Sequence, residues 1–297
     1  MMEHYIDGKK YTFDNNIRDN KEVRLSFDEL SQKTFDLSFE QWYQSGYWVD
    51  KYIPYVLLDG ERVVSNVSVN IIEFMWESER KRYVQLGTVM TDSEYRGKGL
   101  SRVLMERVLE EWEAKCDAIY LFANDTVLDF YAKFGFVKAN EYEHHMSITA
   151  KNKAARKLDM LNKADRELLV DRYKYSNPFS ALPMMDNIGL LMFYCLQFMK
   201  DNIYYVEDCE AVVIAEQDND TLICFDIFCD NKYDIADILS IVASKQTTDI
   251  VLGFTPKEVI NCRITLLQQE DTTLFVLSNK DNIFKDNQLM FPLLSHA

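Results

Sequence analysis

One stretch, residues 83–112, limits what this chain can fold into more than any other. A Val- and Leu-bearing strand pattern over 83–90 runs into Asp92-Ser93-Glu94 and then a loop holding Gly97 and Gly99. A helix pattern opens at Leu100, with Leu100, Val103, Leu104, Val108 and Trp112 on one face. The wholly apolar run 118–123 follows, as a strand buried on both faces would. Upstream, residues 26–42 carry Phe27, Leu30, Phe35 and Phe39 at helical spacing, interrupted near Leu37-Ser38. Residues 52–58 end in the hairpin signal Asp59-Gly60, and 63–74 alternate as a strand before a charged turn over 77–82. Downstream, 126–134 reads as a helix closed by Gly135, and one strand runs from Phe136 to 148. These alternating elements predict an α/β chain (α+β, with a mixed, mostly antiparallel sheet).

The chain has 297 residues, enough for two ordinary domains. The basic, small-residue stretch 151–157 is the best boundary, giving expected domains at 1–155 and 156–297. The second part predicts a strand at 156–160 and helices at 163–173, 188–199 and 233–244. Further strands fall at 204–216, 221–229, 250–254 and 274–277. Its strand–strand–helix–strand order repeats that seen after residue 52, the pattern of a diverged structural repeat.

A net charge of -15 disfavours nucleic acid and anionic membrane surfaces and weakly draws in amines. No run of about 18 apolar residues predicts a membrane span, and the polar, charged start (1–20) does not read as a secretory signal. The six cysteines form no C-x-x-C pair and sit mostly in apolar runs. They read as reduced core residues of a cytoplasmic protein without a disulfide frame or metal site.

The glycine loop is a competent anion cradle. Backbone N–H groups at a helix start lack intrahelical partners, and the helix dipole adds positive potential there. Glycines allow a diphosphate to approach the backbone, and Arg96 and Lys98 add positive charge. The ATP-binding pattern is absent, because Gly99 follows Lys98 where Ser or Thr is needed. The dinucleotide pattern is incomplete, with Arg102 in place of its third glycine. Taken alone, the loop fits both a cofactor cradle and a plain surface turn.

Arg96-Gly97-Lys98-Gly99-Leu100-Ser101 resembles the R/Q-x-x-G-x-G/A pyrophosphate loop of the GNAT acetyltransferase superfamily, with Ser101 in the last, small position. The loop lies between a strand and a helix, as in that family. Asn124 follows the next strand, and Phe130-Tyr131-Ala132-Lys133-Phe134-Gly135-Phe136 is similar to the family's F-Y-x-K-x-G-F signature. The resemblance covers about residues 24–148 and implies a GNAT fold, tandem if the second half repeats it. It implies acetyl-CoA as cosubstrate, held by Arg96, Gly97, Lys98, Gly99, Leu100 and Ser101. Val89, Met90 and Thr91 would face the pantetheine arm, and Asn124 would bond it or order the amine site. Transfer would go to an amine acceptor in a ternary complex, without metal, with Tyr131 protonating the departing thiolate. Adjacent residues 130 and 131 cannot face the same way, so Phe130 and Phe134 are expected in the core and Tyr131 in the site.

No base is assigned. Where some family members carry Glu on the loop-preceding strand, this chain has Gln85 and Thr88. Glu73 and Glu143 read better as solvated strand residues. Of the pair His144-His145, one is expected to point out and one to pack inward. Trp42, Tyr43, Tyr47 and Trp48 fall where the family shapes its acceptor site, and also suit a cluster closing the fold. The second half has no such glycine loop: Asp230-Asn231-Lys232-Tyr233-Asp234 precedes its helix and would repel a pyrophosphate. That half is expected to be non-catalytic, closing one side of the acceptor site or forming a homodimer contact. A non-catalytic acyl-CoA-binding regulatory module is the alternative to an enzyme, and an NTP-binding protein a remote third.

Overall fold

The computed structural model describes residues 2–151, 153–260 and 262–297. Met1 and Asn152, which fall in the start and boundary stretches discussed above, lie outside the described residues. The first part comprises β1 (Met2–Ile6), β2 (Lys9–Asp14), α1 (Lys21–Phe35), α2 (Glu40–Gln44), β3 (Tyr52–Asp59), β4 (Arg62–Trp76), β5 (Glu79–Thr91), α3 (Leu100–Trp112), β6 (Ala118–Ala123), α4 (Leu128–Ala132), β7 (Phe136–Lys138) and β8 (Tyr142–Ser147). After these come β9 (Arg156–Lys157), α5 (Lys163–Tyr173), β10 (Met184–Met185), α6 (Ile188–Gln197), β11 (Ile203–Val206), β12 (Ala211–Asp218), β13 (Thr221–Phe228), α7 (Ile235–Val242), β14 (Asp249–Leu252), β15 (Arg263–Leu266) and β16 (Thr273–Leu277).

Two mixed, mostly antiparallel sheets organise these elements. The first runs β1-β2-β3-β4-β5-β6-β16-β7, with β10 on β4; the second runs β15-β8-β14-β13-β12-β11-β9. The polar start, unassigned from sequence, forms the β1–β2 hairpin across Asp7 and Gly8, both at positive φ. The single strand expected from Phe136 to 148 is instead two strands in different sheets. Glu141 lies between them, buried, its carboxylate accepting from the Phe291 N–H at 2.8 Å. A further exchange runs the other way, because β16 inserts between β6 and β7 of the first sheet. The two sheets therefore trade strands across position 155.

The helix expected over 26–42 breaks where the sequence signals it. Asp36 closes α1 in the left-handed conformation, and the buried Asp28 carboxylate accepts from Phe39 N–H (2.6 Å) and Ser38 Oγ (3.1 Å). These bonds satisfy the loop backbone and fix the chain's entry into α2.

The site-forming feature lies on β5. Tyr83–Leu86 pair in parallel with Ala118–Leu121, and the pairing stops there, so residues 87–91 have no strand partner on that edge. On the other edge a bulge shifts the register against Asn66 and Ser68. Thr88 at the bulge holds φ +47, a costly conformation for a β-branched residue. A buried network maintains it: Asn66 Nδ2 donates to Thr88 O (2.8 Å) and Ser68 Oγ (2.9 Å), and Tyr52 Oη bonds Thr88 Oγ1 (2.9 Å) and Ser68 Oγ (2.9 Å). Leu100, Leu104 and Val108 cover one sheet face with Val64, Leu121 and Phe275. The other face buries Phe27, Phe39, Trp42, Trp48 and Phe193.

The second sheet repeats this order. β12 and β13 are antiparallel with a bulge, α7 follows, and β14 returns parallel to β13, as β4, β5, α3 and β6 do.

Candidate active site

The glycine loop is built from its first residue. Asp92 caps a short 3₁₀ turn, accepting from Glu94 N–H at 3.0 Å, and pairs with Lys33 and Arg62. Burial works against its charge, but that bond and the two cations hold its carboxyl below the usual range. Gly97 and Gly99 then adopt φ +76 and +81, and a Cβ on either would meet nothing within 4 Å. The glycines serve backbone conformation and leave open space in front of the helix. Gly99 caps α3 without any side-chain bond, leaving the helix's first N–H groups for an external acceptor.

A cleft of about 330 Å³ opens at this point. Thr91, Arg96, Gly97, Gly99, Leu100 and Ser101 line it, all anticipated from sequence. Tyr95, Arg102 and Phe130 complete the wall and were not anticipated. Thr91 Oγ1 bonds Ser101 Oγ at 2.6 Å, tying the end of β5 to the first turn of α3. Arg96 Nε donates to Thr91 O (3.1 Å), and Lys98 Nζ to Glu94 O (2.9 Å), so Lys98 folds back over the loop and does not line the cleft.

The remaining expected site residues are not in this wall. Val89 packs against the α3-side core and Met90 is buried in the opposite one. Asn124 Nδ2 donates to Asp271 Oδ2 at 2.7 Å, engaged with a residue just before β16. The expected orientation of α4 is reversed. Tyr131 is only 5% exposed and packs beside Phe136 and Phe275, while Phe130 and Phe134 are half-buried. Burial pushes the Tyr131 phenol up to about 12, which makes it a weaker acid than a phenol in water.

On the opposite face lies a second cavity, of about 250 Å³. Its wall includes Phe35, Phe39, Trp42, Tyr52, Thr88 and Phe193. Thr88 belongs to the bulge, so β5 carries the cleft at Thr91 and this cavity at Thr88. Trp42 is thus a wall residue, whereas Trp48 stacks behind it and Tyr43 lies under the Arg24 guanidinium at 3.5 Å. Leu190 and Phe193 come from α6, which had carried no sequence signal beyond apolarity. Ala297 closes the floor, its O accepting from Gln85 Nε2 at 3.0 Å, and behind it Phe291 stacks on Tyr120 and His296 on Phe122.

Neither carboxylate weighed as a base faces the cavity. Glu73 pairs with Arg80 and Arg82, and Glu143 with His145. His144 and His145 lie on β8 in the second sheet and both are buried, so neither points out as expected; His145 is held by Glu143 of β8 and Asp249 of β14. Among the described residues no group of three or more His, Cys, Asp or Glu side chains could hold a metal ion, and no helix is long and apolar enough to cross a membrane.

The family model described as an acetyltransferase (GNAT) domain matches residues 19–139, which span β5, the glycine loop, α3, β6 and α4. The N-terminal half carries a GNAT acetyltransferase domain. Solved structures extend the likeness of fold over both sheets. A probable N-acyltransferase from Enterococcus faecalis V583 superposes with a TM-score of 0.62 at 15% identity, covering 90% of this chain and 72% of that one. A GCN5-related N-acetyltransferase from Kribbella flavida gives 0.55 at 13% identity, over 90% and 70%. Eis1 from Mycobacterium abscessus gives 0.57 at 13% identity, over 89% and 72%. No curated protein matches the chain in sequence. The mixed two-sheet architecture is consistent with a tandem GNAT arrangement, the GNAT domain leading.

Proposed function

We propose that the protein is an acetyl-CoA-dependent N-acetyltransferase that transfers an acetyl group to an amine within a ternary complex. One observation carries this reading: the unpaired edge of β5 at 87–91 leads directly into an uncapped helix start behind two left-handed glycines. The donor's pyrophosphate fits at Gly97, Gly99 and the N–H groups of Leu100 and Ser101, with Arg96 and Arg102 supplying charge. The pantetheine arm lies along Thr91, Met90 and Val89 as an added strand would. The thioester then falls near Thr88, where the cleft side meets the aromatic cavity. The neutral amine attacks the carbonyl carbon; the C–N bond forms and the C–S bond breaks. As the sulfur leaves with the Tyr131 proton, the nitrogen gives up one of its own, and that proton, relayed through water, restores the phenol.

Residues 1–155 would act as the catalytic domain and 156–297 as a lobe closing the acceptor site, with β8 and β16 exchanged between them. Against an active second site, the Asp234 carboxylate caps α7, accepting from Ala236 N–H at 2.7 Å, and occupies the position an incoming phosphate would need.

The burial of Tyr131 favours a second reading, an acyl-CoA-binding module without chemistry. Titration calorimetry with acetyl-CoA and thiol release over a broad amine panel separate the two. Binding with release supports the enzyme; binding without release from any amine supports the module; no binding removes both.

A further inference from the structure

The cavity beyond Thr88 bears on what sort of amine reaches the thioester, given the acetyltransferase reading above. Its wall holds five aromatic side chains, Phe35, Phe39, Trp42, Tyr52 and Phe193, and no Asp, Glu, Lys or Arg side chain. The polar wall groups are Thr88, Asn70, the Tyr52 hydroxyl and the main chain of Ala297; those of Thr88 and Tyr52 are spent on each other and on the bulge, and Ala297 O accepts from Gln85 Nε2. A carboxylate or a run of hydroxyls placed here would lose water for few partners, and a second ammonium would find only ring faces, Asn70 and the Ala297 main chain, so all three are disfavoured against an apolar body. The chain's net charge of -15 does not alter this, because none of its side-chain carboxylates lines the wall.

The volume points the same way. At about 250 Å³ the cavity far exceeds what an acetyl group fills. Phe35 at its rim is 44% exposed, so its ring is open to both the solvent and the cavity. The rings beneath it are fixed by mutual packing: Trp42 stacks on Trp48, and Phe39 on Tyr52 and Phe193. Their position needs no rearrangement to accept a planar or aliphatic group.

We propose that the acceptor is a primary monoamine with an aromatic or aliphatic body, seated in this cavity with its nitrogen at Thr88, and that polyamines, aminoglycosides and free amino acids are poor acceptors.

The test is thiol release from acetyl-CoA with 2-phenylethylamine, tryptamine and hexylamine against spermidine, kanamycin and lysine. Apolar monoamines should show kcat/KM at least tenfold above the others. Phe35→Ala, at an exposed position where folding is spared, should raise KM for 2-phenylethylamine several-fold and leave the acetyl-CoA Kd unchanged. Phe193→Ala, checked for folding by that same Kd, should do so more strongly. Faster turnover of spermidine, kanamycin or lysine would overturn the inference and leave the acetyltransferase reading standing. So would a preference for octanoyl-CoA over acetyl-CoA that Phe35→Ala abolishes, since the cavity would then belong to the acyl chain. Failure to bind acetyl-CoA at all would overturn the underlying reading as well.

Discussion

Tyr131 shows how a motif and its environment make separate demands. In the proposed mechanism the F-Y-x-K-x-G-F similarity offers a phenol to the leaving sulfur, while packing against Phe136 and Phe275 keeps that phenol dry and weakly acidic. A dry phenol is a poor acid toward water and a serviceable one toward a thiolate released beside it. Tyr131→Phe should therefore lower kcat at least tenfold with the acetyl-CoA Kd nearly unchanged; stopped-flow thiol release and calorimetry give the two quantities. Equal kcat in the variant would remove Tyr131 from the mechanism. The orientation of α4 could not be read from its own residues, for a physical reason. Neighbours 130 and 131 must face apart, but alternation does not say which of two aromatic residues meets the core. The strand that decides it, β16, arrives from the far end of the chain.

At the scale of elements, the loop and α3 were the most legible part of the molecule. Six of the cleft's wall residues are ones the GNAT resemblance implies; backbone chemistry by itself carried the loop only as far as an anion cradle or a surface turn. Gly97→Val or Gly99→Val would force a β-branched residue to positive φ and fill the space in front of the helix. We expect acetyl-CoA KM to rise more than tenfold, measured under saturating amine. β6 was likewise plain, because six consecutive apolar residues admit little but a buried strand. The stretch 136–148 was not. Its pattern gave no sign that Asn140 and Glu141 turn the chain from one sheet to another, because the bond that satisfies Glu141 comes from Phe291. The aromatic cavity was half visible: Trp42 lay in the helix–loop region expected to vary with the acceptor, while Phe193 carried nothing to distinguish it from core. Gly87 belongs to the same category. A Cβ there would lie 2.4 Å from Ala297 O, so Gly87→Ala should lower the melting temperature measurably and widen the cavity floor.

Across the whole molecule, buried titratable groups give stability a defined pH dependence. Burial pushes Glu141 up to about 8 and Asp226 up to about 7, and lowers His296 to about 4. For the two acids the folded state binds the proton more tightly than the unfolded chain. Their stabilisation is complete below about pH 4 and is lost as pH rises toward 7 and 8. His296 works in the opposite sense: the unfolded imidazole takes up a proton first, so stability falls as pH drops from about 6.5 toward 4. A tenfold difference in proton affinity between the folded and unfolded chain corresponds to about 1.4 kcal/mol of stability. Glu141→Gln keeps an acceptor for the Phe291 N–H and removes the charge. It should melt higher than the wild type at pH 8.5 and nearly equally at pH 5 in thermal scans. A difference independent of pH would show that Glu141 is already compensated.

The insertion of β16 between β6 and β7 has a consequence for how the protein is made. A ribosome delivers β5, the glycine loop, α3 and β6 early, yet the edge of β6 stays bare until residues 273–277 have emerged. Until then the nascent chain presents Tyr120, Leu121 and Phe122 on an open strand edge, an invitation to chaperones and to neighbouring chains on the same message. The half of the protein that is translated first is thus among the last to close.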